Sequence, residues 1–493
     1  MRTVLLSKSD QLYLEKCAQE HSFSYGIIIG HQADLTKSIV VHLARNSEED
    51  ADLEDLNDVR LTIRDINSQA LASQWLSASK MCPGSFDVLG IFVSSVHPEV
   101  SKDNNEELKN AKKLFSDVYD LLLKSNSSFG VYTTDVAQTD YVFLSYCLSN
   151  RSLICKNYTY GNGGTFSTME HRFVEKPFEW IQLECNYDLD DVIPILDPAR
   201  RINIEEQFQN IIFTVRKYLI ASEVFIQNEI VEDTIDLQTY MKNKNLNDDK
   251  RKSTSSSSST TSVTPTAAMR SSAMHLLAAN EAGNGNVIRA SIVLPLKCQL
   301  NNQSDIKVRE YNGTLRMSGI IFSRIYCNSR NSIADLKRFL RDDVLRSLIT
   351  RIQVYCDGLT DPHVTNEALY ISEPPRRVFF SLPTEGGKGN ATSSAVQFSE
   401  YLFRGEAPTV AVAQAKQILD VELDPETISL DAEGLQDDNF TNSQPDTETT
   451  EDTHSLTSSM PKRELSRSLY MVGIAVALLV LLASMALHYA MTG

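Results

Sequence analysis

Charge is the first thing this chain lacks where it would be expected. From Ser468 to Gly493 there is no Asp, Glu, Lys or Arg, so that stretch has no ionic means of staying on a water-facing surface. A long apolar run near the start is missing too. Met1–Asp10 reads MRTVLLSKSD, which is too polar for the hydrophobic part of a secretory signal and argues against one. No two of the eight cysteines (17, 82, 147, 155, 185, 298, 327 and 356) stand closer than eight residues. That spacing removes Cys-x-x-Cys redox and zinc signatures and suits reduced, partly buried thiols of a cytosolic protein. Basic excess is also absent. The net charge is −17, which disfavours nucleic acid as a partner. A Gly-x-Ser-x-Gly nucleophile elbow is not found. Gly386-Gly-Lys-Gly-Asn390 fails as a phosphate loop, because Gly389 stands where a Ser or Thr must ligate magnesium.

The uncharged terminus is occupied by a long apolar run. Leu469–Tyr489 reads LYMVGIAVALLVLLASMALHY, which as a helix spans ~31 Å and matches a ~30 Å hydrocarbon layer. The residues expected in the bilayer are Leu469, Tyr470, Met471, Val472, Ile474, Leu478, Leu479, Val480, Leu481, Leu482, Leu487 and Tyr489. The Leu, Ile and Val side chains favour insertion by about 3–6 kcal/mol before Gly473 and Ser484 are charged against it. Only four residues follow Tyr489, so insertion must come after synthesis, as a tail anchor. The basic flank Lys462, Arg463 and Arg467 stays cytosolic, which leaves residues 1 to about 468 facing the cytosol. The span's modest length suits the endoplasmic reticulum, whose bilayer is a few Å thinner than the plasma membrane.

Upstream, the pattern is α/β: a mixed sheet with flanking helices, interrupted by disordered linkers. The spacing predicts an N-terminal domain over 1–240. Its strands are Phe23–Ile29, Ser38–Ala44 and Phe86–Ser94, with a hairpin from Tyr141–Leu148 to Leu153–Tyr158 and a further strand at Glu179–Cys185. Helices are expected at 63–80, ended by Cys82-Pro-Gly84, and at 104–124 and 204–227. The Ser/Thr-rich stretch 243–286 reads as a disordered linker. A second segment, 287–383, carries strands at Val287–Leu296, Thr314–Tyr326 and Arg377–Leu382. Between them lies a helix at Ser332–Tyr355, capped by Ser332 and Asp335. This segment either stands alone or adds strands to the first sheet, and the pattern leaves both open. Residues 384–468 read as an acidic disordered tether with a short helix at 407–420.

Chemistry-bearing constellations are few. Cys82, beside Pro83 at a helix end, comes nearest to a nucleophile candidate, but reads better as a structural thiol. The Leu71, Trp75, Leu76 stripe reads as core. The strand FSYGIIIG, a second strand, a helix and then DVLGIFVSSVHP resemble the opening of an MPN domain. In active members a downstream Asp joins His-x-His-Pro to hold zinc. Here the two His positions hold Val93 and Ser95, or in a shifted alignment Ser95 and His97, and Asp103 comes too early. The resemblance therefore implies a metal-free domain that serves as a pairing surface, and no cofactor is expected.

Three further blocks carry a closer resemblance. They are Gly26-Ile-Ile-Ile-Gly30, Trp75-Leu-Ser-Ala-Ser-Lys-Met-Cys-Pro-Gly84 followed by Val88-Leu-Gly-Ile-Phe92, and Tyr311-Asn-Gly-Thr-Leu-Arg-Met-Ser-Gly-Ile-Ile321. With the C-terminal span, they resemble the odorant response abnormal protein 4 family over most of the chain. The resemblance implies a non-enzymatic, tail-anchored adaptor that assists folding or trafficking of a subset of G-protein-coupled, odorant-type receptors. The alternative it implies is a scaffold that brings the cysteine protease of the ubiquitin-fold-modifier pathway to the endoplasmic reticulum membrane. The implied partners are thus the bilayer, seven-helix receptors and, in the alternative, that protease. No catalytic residue comes with the family.

Overall fold

The apolar run at the first predicted strand has no polar face to give to water, so it must be covered on both sides. In the computed structural model it becomes a central strand whose first nine residues are all buried. The described residues are 2–34, 36–47, 61–97, 105–126, 140–161, 164–175, 178–195, 201–244, 287–294, 313–360, 374–382, 396–403 and 405–433. They all belong to one unit, Met1–Leu435.

In chain order the first half supplies β1 (Thr3–Ser7), α1 (Lys8–His21), β2 (Phe23–Asp34), β3 (Lys37–Arg45), α2 (Ser68–Met81), β4 (Asp87–Ser95), α3 (Asn105–Asn126), β5 (Asp140–Cys147), β6 (Ser152–Thr159), β7 (Thr165–Thr168) and β8 (Glu170–Val174). Its strands form an eight-stranded mixed sheet in the order β7-β6-β5-β4-β2-β3-β1-β8. The period of two sends Ile27, Ile29, Ile91 and Val93 to one face, where α2 and α3 bring Leu71, Trp75, Leu114 and Phe115. Ile28 and Phe92 go to the other face and meet Leu14 of α1. The strand–helix pair at the N-terminus lies outside the sequence expectations. Its signal is short but readable: Ser7 and Asp10 form a capping box, with the Ser7 N–H donating to Asp10 Oδ2 at 2.7 Å and the Asp10 N–H to Ser7 Oγ at 3.2 Å.

The rest of the unit is built from β9 (Ile181–Ile195), α4 (Arg201–Ala221), β10 (Glu223–Ile226), β11 (Val287–Val293), β12 (Gly313–Cys327), α5 (Ile333–Thr360), β13 (Arg376–Ser381), β14 (Gln397–Leu402) and α6 (Pro408–Leu419). A second sheet runs β10-β11-β9-β12, and β13 and β14 form a separate antiparallel pair. Residues 287–327 therefore add strands on both sides of β9, and the segment 287–383 does not stand alone. The predicted helix 204–227 is corrected at its end: it stops at Ala221, and Glu223–Ile226 pairs with β11 as a strand. Val224 and Ile226, both fully buried, give that short piece its alternation.

The expected tether is corrected as well. Within 384–468, residues 396–403 and 405–433 are folded into the unit, and Arg377–Leu382 is not its last strand. Phe398, Leu402, Ala411, Ala415, Ile418 and Leu419 join the same core as Trp75 and Ile27. Glycine, serine and acidic flanks hide these short apolar runs from any composition average. The predicted linker 243–286 lies outside the described residues, apart from its first two positions, and the span 469–489 lies outside them entirely. No helix of the described residues is long and apolar enough to cross a membrane.

Helix α5 is the post between the sheets. Its predicted cap forms: Ser332 Oγ accepts from the Asp335 N–H at 3.2 Å and donates to Asp335 Oδ2 at 2.8 Å. Ile333, Leu336 and Leu340 pack under the second sheet, whereas Val344, Leu348 and Ile352 pack against Phe208, Ile212 and Val215 of α4. Each such Leu or Ile is worth about 1.5–3 kcal/mol of burial. The opposite face of α5 is also buried, but it is polar: Asp343, Arg346, Ser347, Thr350 and Arg351. Those residues make the junction described next.

Candidate functional site: a buried ionic junction and the cleft beside it

Helix α2 ends at Cys82-Pro83-Gly84, and the chain turns straight into β4. The turn leaves backbone carbonyls in the interior, and buried carbonyls need donors. Arg346 supplies them. Its Nη1 donates to Phe86 O at 2.9 Å, Cys82 O at 3.3 Å and Pro83 O at 3.4 Å, and its Nη2 donates to Asp87 at 3.3 Å. Burial pulls the Arg346 pKa down, but Asp87, Cys82, Asp343 and Asp342 together more than offset it and the net direction is up. Gly84 is needed because α5 crosses so closely. A Cβ there would lie 2.4 Å from both Asp343 Cβ and Phe339 O.

One turn along, Arg377 of β13 grips Asp343 bidentately at 2.7 and 3.0 Å, the fork geometry that suits guanidinium to carboxylate. Its Nε donates to Ser399 Oγ at 2.9 Å, and that hydroxyl donates to Met81 O. Beyond it, Arg351 Nη2 donates to both oxygens of Glu433, at 2.5 and 2.6 Å. Glu433 also accepts the backbone N–H groups of Phe322 at 2.8 Å and Arg377 at 2.9 Å. The residues just before it are held to β13, where Phe379 and Ser429 exchange backbone hydrogen bonds at 3.1 and 2.8 Å. Three arginines and three carboxylates thus tie α2, β4, α5, β13, β14 and the end of the unit together.

Among the described residues, those singled out from the sequence do not come together as a reactive set. Cys82 is fully buried. Burial, with Asp87 adding to it, pushes its thiol pKa well up, away from a nucleophilic thiolate. Leu71 and Trp75 are core residues, as expected, and Leu76 packs against that core half-buried. Val93 is wholly buried. Ser95 Oγ donates to His97 O at 2.5 Å, and the His97 side chain faces solvent. Asp103 and the twelve span residues from Leu469 to Tyr489 lie outside the described residues.

Beside the junction a cleft of about 330 Å³ opens between α2, α5, β14 and α6. This is the feature that sequence reading missed, because its residues come from three distant stretches, one of them read as tether. Lys80 of α2, Asp357 of α5, Glu400 of β14 and Glu406 after it bring charge to it. Met81, Val354, Phe403, Val410 and Ile418 give it apolar walls. Burial pushes the Glu400 carboxyl up to about 7, against a backbone hydrogen bond from Tyr401 and the pull of Lys80. Burial likewise draws Lys80 down, with Asp357 and then Glu400 opposing it. Such a site can bind and hold a charged group. Among the described residues no group of three or more His, Cys, Asp or Glu could hold a metal ion.

Comparison with known proteins places the chain. A family model described as "ODR4-like: Odorant response abnormal 4-like" matches residues 26–430. "Protein odr-4 homolog" of Drosophila melanogaster is 72% identical over 490 residues, covering 99% of both chains. The "Protein odr-4 homolog" of Mus musculus is 20% identical over 504 residues, again covering 99% of each. Among solved structures, one titled "Crystal structure of UfSP from C.elegans" shares 9% identity at a TM-score of 0.39, covering 86% of this chain and 56% of that one. That score is too low to carry a fold assignment. The family match and the full-length fly relative suffice: the chain belongs to the odorant response abnormal 4-like family.

Proposed function

We propose that this chain is a non-enzymatic adaptor, held at the endoplasmic reticulum membrane by Leu469–Tyr489, that assists folding or trafficking of odorant-type G-protein-coupled receptors. Membership in the odorant response abnormal 4-like family carries the reading. The uncharged C-terminal run supports the tether, and a buried, high-pKa Cys82 fits binding better than covalent chemistry. Confining the folded unit to a membrane surface raises its effective concentration toward membrane clients. Two measurements test this. A glycosylation acceptor placed after Gly493 should be modified in microsomes while added protease digests residues 1–435. Deleting the chain, or only residues 469–489, should reduce delivery of a co-expressed odorant-type receptor to the cell surface. An unmodified tail, or delivery that ignores both deletions, refutes the proposal. Unchanged delivery together with loss of a ubiquitin-fold-modifier protease from the membrane would put the scaffold reading in its place.

A further inference from the structure

The cleft beside the ionic junction is rich in acceptors and short of donors. Three carboxylates, Asp357, Glu400 and Glu406, face one ammonium, Lys80. Glu406 spends one oxygen on the Phe403 N–H at 2.7 Å and Glu400 one on the Tyr401 N–H at 3.0 Å, which leaves each with a second oxygen. Deeper in, Thr350 also lines the cleft. It is 1% exposed, and its Oγ1 has no hydrogen-bond partner. An orphaned buried hydroxyl is costly, so a group that enters the cleft and hydrogen-bonds to it binds the more tightly. A volume of about 330 Å³ is at the small end of the ~300–1,000 Å³ range of ligand sites, too narrow for a folded domain and wide enough for a long side chain.

We propose that this cleft binds the cationic side chain of a lysine or arginine in a basic peptide segment. The head would sit among Glu400, Glu406, Asp357 and Thr350, and the aliphatic stem against Val354 and Val410. Lysine and arginine match on both counts. They bring only donors, and their stems bury against apolar walls while the head stays polar. Val410, 41% exposed at the rim, is an apolar surface such a stem would cover. The source follows if the adaptor reading holds, on which this part rests: the cytosolic flanks of membrane spans carry an excess of Lys and Arg, so a unit tethered on that side meets basic segments of its clients first.

The test uses the full chain in phosphatidylcholine nanodiscs. The probe is a fluorescent, end-capped peptide alternating leucine and arginine, and the control is the same peptide with citrulline for arginine. Citrulline should weaken binding by about tenfold or more, because charge-assisted hydrogen bonds are lost. The double variant E400Q/E406Q should lose a similar factor, and Thr350→Val about fivefold, with melting curves showing the fold intact. A readout on the unaltered protein stands whatever the variants do. Binding should strengthen from pH 6 to pH 8 as Glu400 ionises, and that dependence should vanish in Glu400→Gln. Lys80 from α2, Asp357 from α5 and Glu406 after β14 surround Glu400, while α6 contributes the uncharged Gln414. Equal affinity for the citrulline peptide, or a flat pH profile, overturns the inference. Receptor delivery is scored separately. Peptide binding without any effect of chain deletion on delivery would sink the adaptor reading and leave the site; delivery that needs the chain without peptide binding would do the reverse.

Discussion

Arg377 and Asp343 are, respectively, 1% and 0% exposed at their side chains, and each is the other's main source of compensation. A buried pair of this kind is weak as a net stabiliser but costly to break, because the survivor is left charged and dry. Arg377→Met or Asp343→Asn alone should therefore destabilise the unit by about 3–5 kcal/mol in urea melts, and the double replacement by less than the sum. Gly84 is a steric case. The 2.4 Å approaches to Asp343 and Phe339 leave no room for a methyl group, so Gly84→Ala should cost about 1–3 kcal/mol through overpacking against α5. Glu400 is an electrostatic one. Its folded pKa, pushed up to about 7 by burial, lies above its ordinary value of 4.5, so between these pH values the folded chain binds more protons than the unfolded one. Its contribution to stability therefore falls as pH rises through that window and is level above it. The melting temperature of Glu400→Gln minus that of the unaltered chain should increase from pH 4.5 to 7.5. A difference that shrinks or stays flat would mean Glu400 is not held neutral in the fold.

At the scale of elements, how much was readable depends on how each element buries itself. Long elements with a clear period, such as β2, α2, β4 and the β5–β6 hairpin, follow from their residues. So does the Ser332–Asp335 cap that starts α5. The polar face of α5 does not, because Asp343, Arg346 and Arg351 look like a solvated stripe until Arg377 of β13, the turn from Cys82 to Asp87 and Glu433 are brought to them. The stretch after residue 384 is the clearest case. Gln397–Leu402 is too brief and too polar to predict a core strand, and the short helix expected at 407–420 forms as Pro408–Leu419 but gives no sign, among its Ser, Gly and acidic flanks, that it packs into a core. Phe398 is nevertheless fully buried, and so are Ala411, Ala415 and Leu419. The candidate cleft was unreadable for the same reason, since β14 and α6 form one of its sides. Phe398→Ala should accordingly cost about 3–5 kcal/mol, a loss that a residue in a solvated tether could not produce. A chain ending at residue 395 should fail to melt cooperatively, whereas one ending at Leu435 should.

At the scale of the molecule, the question is whether the two large sheets act as one body. A reading by linkers makes 1–240 and 287–383 separate, and separate domains unfold in separate steps. The connectivity argues otherwise. β9 comes from the first stretch and is paired over its whole length with β12 from the second. Tyr326 of β12 enters the same core as Trp75 and Phe86, and its N–H is held by Ser85 Oγ at 3.0 Å. Arg346 on α5 satisfies the carbonyls of the turn that ends α2. To pull the second sheet away would strip that turn of its donors and leave Arg346, Arg377 and Asp343 unpaired at once, so opening one part removes what stabilises the other. Residues 1–435 should unfold in urea as a single transition. Fluorescence of Trp75 and Trp180 and far-ultraviolet dichroism should give coincident midpoints. In native-state hydrogen exchange, the amides of β2 and β4 should share one opening free energy with those of β12 and α5. Protection of β12 and α5 lost at lower urea than that of β2 and β4 would show that the two sheets are separate cooperative units and that the buried arginines join surfaces without coupling them.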